Sequence, residues 1–112
     1  MGDFQNLRVI SAASPEGEVV VQLVGELDLG TVAILVDALD DLLDGDPVAI
    51  ELDMSELTFI DSSGVGAYVT AFRRARAKGS RLRLGERSGP VQRVLQLSGV
   101  EEALARESVD DN

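Results

Sequence analysis

The chain has 112 residues, a net charge of -10, 45% apolar residues, and neither cysteine nor histidine. That length supports one domain around one core, and the acidity excludes a protein that grips nucleic acid through a basic footprint. Without histidine or cysteine there is no Ser-His-Asp, Cys-His or thiolate chemistry, and with Lys78 as the single lysine an enzyme is not expected.

The first residues, MGDFQNLRVI, lack a basic n-region followed by an apolar stretch. No apolar run approaches the roughly 20 residues of a membrane span. A cytoplasmic location without membrane contact is therefore expected. Residues 7–11 and 19–24 are rich in aliphatic and β-branched side chains, and the intervening AASPEGE carries the proline and glycine of a turn, so they read as a hairpin. Over residues 32–43 the period changes: Val32, Leu35, Val36, Leu39, Leu42 and Leu43 fall on one helical face. Thr31 or Asp28 is placed to cap that helix, and Gly45 is able to take a left-handed conformation after it.

Residues 48–53 follow as a short strand with Val48, Ile50 and Leu52 on one side. A second helix starts near Ser62 or Ser63, turns Val65, Tyr68, Val69, Phe72 and Ala75 inward, and ends at Gly79. The basic run from Arg73 to Lys78 falls in its last turns, where cations complement the helix dipole. Leu82 and Leu84 mark another strand. SGPVQRVLQLSG is a third helix with Pro90 in its first turn and Gly99 beyond its end. The tail from Val100 suits a last strand or a partial helix, and SVDDN should fray. Strand, helix, strand over residues 48–85 is a βαβ unit with parallel strands and a right-handed crossover. The fold class is thus α/β, a mixed sheet with the first hairpin at one edge and helices on one or both faces.

The segment Asp61-Ser62-Ser63-Gly64 admits several readings. Asp61 or Ser62 serves as a helix N-cap, with Gly64 and Gly66 easing close packing of the first turn. A helix entrance also presents unpaired N–H groups to anions, but neither a phosphate-binding P-loop nor a dinucleotide fingerprint is present. A serine at this position is also a suitable phosphorylation target. The helix dipole favours an added phosphate by about 0.3–1 kcal/mol, while Asp61 opposes it. Asp28 and Asp61 could in principle form a catalytic carboxylate pair, but exposed acids on an acidic domain are more often solvated faces.

Three stretches resemble the STAS domain, and in particular the bacterial anti-sigma factor antagonists: LVGELDLGTV at 23–32, the run from residue 50 to 84 containing FIDSSG, and VQRVLQLSGVEEAL at 91–104. The resemblance implies a mixed sheet of four to five strands with helices packed mainly on one face, a STAS domain over residues 5–107, and a flexible tail at 108–112. It implies a non-enzymatic switch in which the unphosphorylated protein binds an anti-sigma factor that is also a GHKL-type serine kinase. Binding releases a sigma factor, phosphorylation of Ser62 ends it, and a PP2C-type phosphatase restores it. Asp28 would lie near Ser62, and Asp61, Ser63 and Gly64 would shape the contact surface. ATP and Mg²⁺ would belong to the partner, so no cofactor or metal is expected in this chain. Only 13 residues follow Gly99, short for the final strand and closing helix often seen in the family. The alternative within the family is a STAS scaffold or accessory module without phosphate turnover, of the stressosome or transporter-associated kind.

Overall fold

A computed structural model describes residues 6–110. The elements run β1 (Leu7–Ala13), β2 (Glu18–Leu27), α1 (Val32–Asp44), β3 (Ala49–Ile60), α2 (Ser62–Ala77), β4 (Arg81–Arg87), α3 (Gly89–Ser98) and α4 (Val100–Asp110). The sheet order is β1-β2-β3-β4, with β1 antiparallel to β2 and the other two pairs parallel. This is the expected mixed sheet, with four strands and the hairpin at one edge.

Each helix forms for a reason legible in its residues. Helix α1 buries Leu35, Leu39 and Leu43 on one stripe, as its spacing requires. Gly45 is not its left-handed residue, however: Gly45 has φ −87° and Asp46 takes φ +54°. A short polar side chain tolerates that conformation, so the reversal comes one residue later than expected. Helix α3 begins with Ser88 as N-cap and Pro90 in the first turn, and ends at Gly99 with φ +68°. Along β2 the buried residues are Val19, Val21, Leu23 and Leu27, and along β3 they include Ile50, Leu52, Met54, Leu57 and Ile60. Their neighbours in sequence, among them Val20, Glu56, Thr58 and Phe59, stay exposed. The helices thus cover mainly one face of the sheet.

Two strands run well past their expected limits. β2 continues to Leu27 because Gly25, at φ +118°, absorbs a register shift beside β3. A Cβ there would collide with the Asn6 carbonyl, which accepts from the Glu26 amide. β3 continues to Ile60 through further irregularities, beginning where the Asp53 carboxylate accepts from the Ser55 amide at 2.9 Å. These breaks change the inward phase from 50, 52, 54 to 57, 60, which hides the strand from a simple alternation test. Val48, expected in the strand, lies before it and is exposed.

The tail forms a helix rather than a strand. Helix α4 is fastened by Val100 and Leu104 in the core, by Arg87 to Glu101 at 2.7 Å, and by Glu107 to Arg73 and Arg76. The backbone at 108–110 continues α4; the expected domain start at residue 5 and residues 111–112 lie outside the described residues. Beyond complementing the dipole, the basic run of α2 is engaged in ion pairs, Arg73 and Arg76 with Glu107, Arg74 with Asp40, and Lys78 with Asp46.

Tyr68 reports on this packing. It is buried between α2 and α4, and desolvation, aided by the Glu101 carboxylate, pushes its phenol up to about 12. Because folding raises this pKa, the associated stability is complete below about pH 10, the unfolded value. It is lost as pH rises through the folded value of about 12. It is the single tyrosine, so near-ultraviolet phenolate absorbance follows it alone. The expected midpoint is about 12 in the folded protein, against about 10 in denaturant.

Candidate functional site

Strand pairing brings the two motif loops together. Leu27 lies opposite Ile60 in the parallel β2–β3 pair, and the Asp61 amide donates to the Leu27 carbonyl at 3.2 Å. Asp28 and Asp61 therefore leave adjacent strands at the same end of the sheet, one strand spacing apart, about 5 Å. In open α/β sheets this carboxyl end of the parallel strands is where ligands and partners are usually met.

The Asp28 loop is fixed by its own side chains. The Asp28 Oδ1 atom accepts from the Gly30 amide at 2.9 Å and from the Thr31 amide at 3.1 Å. Thr31, buried, donates through its hydroxyl to the Glu26 carbonyl at 2.8 Å and accepts from the Asp28 amide at 3.0 Å. Thr31 starts α1 without capping it in the usual sense; its hydroxyl ties the end of β2 to the loop instead. The loop leaves Leu29 77% exposed, and on β3 Phe59 is 48% exposed. Neither was singled out from sequence. The available signal was an apolar residue between Asp28 and Gly30 that no strand or helix period carries inward.

At the entrance of α2, Asp61 rather than Ser62 is the N-cap. Its Oδ1 atom accepts from the Ser63 amide at 2.9 Å and from the Gly64 amide at 3.2 Å. Ser62, freed from capping, is exposed; Ser63 is half-buried and Gly64 buried. A Cβ on Gly64 would stand 2.8 Å from both Ile60 Cγ1 and Leu27 Cγ. Glycine is thus what lets the first turn of α2 sit on Leu27 and Ile60, the last strand residues before each loop. All five residues expected at the site, Asp28, Asp61, Ser62, Ser63 and Gly64, lie at this one edge. Replacing the cap, Asp61→Ala, is expected to lower stability by about 1 kcal/mol in urea denaturation with the helix content of the folded state unchanged.

The site offers two serine hydroxyls, that of Ser62 exposed and that of Ser63 half-buried, two carboxylates already committed to backbone amides, and flanking apolar side chains. Among the described residues no cluster of acids has the arrangement of a metal site. No helix among them is long and apolar enough to cross a membrane.

Comparison with known proteins bears on the family and the fold. The family model described as "Mlab, STAS domain" matches residues 10–106. The anti-sigma-B factor antagonist of Listeria monocytogenes is 27% identical over 86 residues, covering 77% of this chain and 75% of that protein. The anti-sigma factor antagonist SpoIIAA in its unphosphorylated form superposes with a TM-score of 0.73 at 28% identity, over 90% of this chain and 96% of the other. The phosphorylated form of the Bacillus cell fate determinant SpoIIAA gives 0.66 at 28% identity, over 88% and 98%. An anti-sigma factor antagonist from Mycobacterium paratuberculosis shares the fold, with a TM-score of 0.78 at 22% identity over 87% and 81%. With its four-stranded mixed sheet and with nearly the whole chain matched by the family model, the protein belongs to the STAS domain family, and the relatives it resembles are anti-sigma factor antagonists.

Proposed function

We propose that this protein is an anti-sigma factor antagonist that docks its partner through the edge formed by Asp28, Asp61, Ser62, Ser63 and Gly64, and that phosphorylation of Ser62 ends the contact. The partner is an anti-sigma factor with GHKL-type serine kinase activity, which supplies ATP and Mg²⁺. A PP2C-type phosphatase resets the switch. The observation that carries the reading is the exposed Ser62 hydroxyl at the head of α2, on the edge where the two motif loops meet. The capping duty falls on Asp61, so Ser62 is available for modification without loss of a helix cap.

The neutral hydroxyl fits an interface built around it, with Leu29 and Phe59 able to supply apolar contact. A phosphate adds about -1.5 to -2 charges beside two carboxylates and must be desolvated in the complex. That SpoIIAA, a relative, has been solved in unphosphorylated and phosphorylated forms supports phosphorylation as part of this reading. The test is treatment with the kinase partner and ATP followed by mass spectrometry: phosphate is expected on Ser62 and none on Ser62→Ala.

A second reading is an accessory STAS module without phosphate turnover, since the matching family model is described only as "Mlab, STAS domain". It requires that Ser62 stay unmodified under the same treatment while the partner remains bound.

A further inference from the structure

β4 ends the sheet, and the chain passes from α3 directly into α4 without adding a strand outside it. The Arg81 amide donates to the Val48 carbonyl at 3.3 Å, on the β3 side. Backbone groups alternate sides along a strand, so the N–H and C=O of Leu82 and Leu84 point outward. Beside that edge, toward the helices, lies an open groove of about 360 Å³ lined by Phe72, Arg76, Ser80, Arg81, Leu82 and Arg83. A second groove of about 330 Å³ shares Phe72, Leu82 and Arg83 with it and extends past Leu84 to Leu104. The two form one trough along the strand, mostly apolar in its lining.

The charge at the start of this edge runs against that of the molecule. The chain carries -10 overall, yet over residues 81–84 the exposed residues are Arg81 and Arg83, with the acid Glu86 exposed farther along the strand. Arg83 contacts Glu51 at 3.1 Å and Glu18 at 3.8 Å, whereas Arg81 has no ion pair among the described residues. A second copy of the chain is a poor occupant. Antiparallel pairing about a two-fold axis sets residues of the same face opposite each other, so registers that pair residues 81–84 place arginine against arginine. An acidic strand meets no such repulsion.

We propose that the outer edge of β4 takes up an extended segment of a partner protein, alternating apolar and acidic residues, as a fifth strand. Its backbone pairs with Leu82 and Leu84. Its apolar side chains enter the trough beside Phe72 and Leu104, and its carboxylates, turned to the other face by the two-residue period of a strand, approach Arg81 and Arg83, which also border the trough. This contact is independent of the state of Ser62.

The probe is a blocked peptide of alternating valine and glutamate, with its valine–lysine counterpart as control, titrated into the isotope-labelled full chain and followed by two-dimensional NMR. The acidic peptide is expected to shift the amide signals of residues 80–85 and to slow hydrogen exchange at Leu82 and Leu84. Arg81→Glu, whose spectrum also reports whether the chain stays folded, is expected to weaken binding by about fivefold or more, and Arg81→Ala by less. The proposal is overturned if the acidic peptide causes no shifts, if the basic peptide binds as well, or if the shifts fall on the β1 edge. Concentration-dependent broadening of β4 signals without peptide would overturn it in favour of a second copy.

Discussion

Phosphorylation of Ser62 is expected to weaken binding of the anti-sigma partner by roughly 30-fold to several-thousand-fold, the equivalent of about 2–5 kcal/mol for disrupting a buried polar contact. The magnitude follows from position. Ser62 is exposed in the free protein, so modification itself costs the fold little, but in a complex the dianion must shed its water against a surface complementary to a neutral hydroxyl. Ser62→Ala should keep most of the affinity and lose all of the response to kinase and ATP. Ser62→Asp should lose part of the affinity, since one carboxylate imitates a phosphate poorly. Isothermal titration of the four forms measures this directly. Equal affinity of phosphorylated and unmodified protein would remove the switch.

The second large effect concerns the junction beneath the serine. Leu27→Ala removes a fully buried side chain and is expected to cost about 2–5 kcal/mol. Gly64→Ala forces a methyl group into the space held by Leu27 and Ile60, and overpacking of this kind costs about 1–3 kcal/mol. The better helix propensity of alanine offsets at most about 1 kcal/mol of that. The two changes should not add. Shortening Leu27 vacates the volume that the added methyl group needs, so the double variant should be more stable than the sum predicts by about 0.5–3 kcal/mol. Urea denaturation of all four proteins closes the cycle; strict additivity would mean that Gly64 and Leu27 do not compete for the same space.

Much of this architecture could be read from residue order. The spacing of Leu35, Leu39 and Leu43 specified the buried stripe of α1, and Pro90 and Gly99 bracketed α3. That the five candidate residues share one end of the sheet was legible because two short motifs sit at the ends of strands that prove to be neighbours. What escaped was phase. Bulges near Gly25 and Asp53 shift the inward set, so β2 and β3 looked shorter than they are and Phe59 was not recognised as outward-facing. Helix α4 was ambiguous because, among the residues whose burial is described, Val100 and Leu104 supply its buried face, and two residues define no period. The exposure of Leu29 depends on how Asp28 and Thr31 close their loop, which is a matter of hydrogen-bond geometry rather than composition.

The division of labour between Asp61 and Ser62 has a kinetic corollary. Since the carboxylate already occupies the leading amides of Ser63 and Gly64, a phosphoryl group next door finds no ready cradle and remains hydrated. Under the proposed switch, how long a phosphorylated molecule stayed silent would be decided by the phosphatase that visits it, and the memory of a past signal would reside in the balance of two enzymes rather than in the protein that carries it.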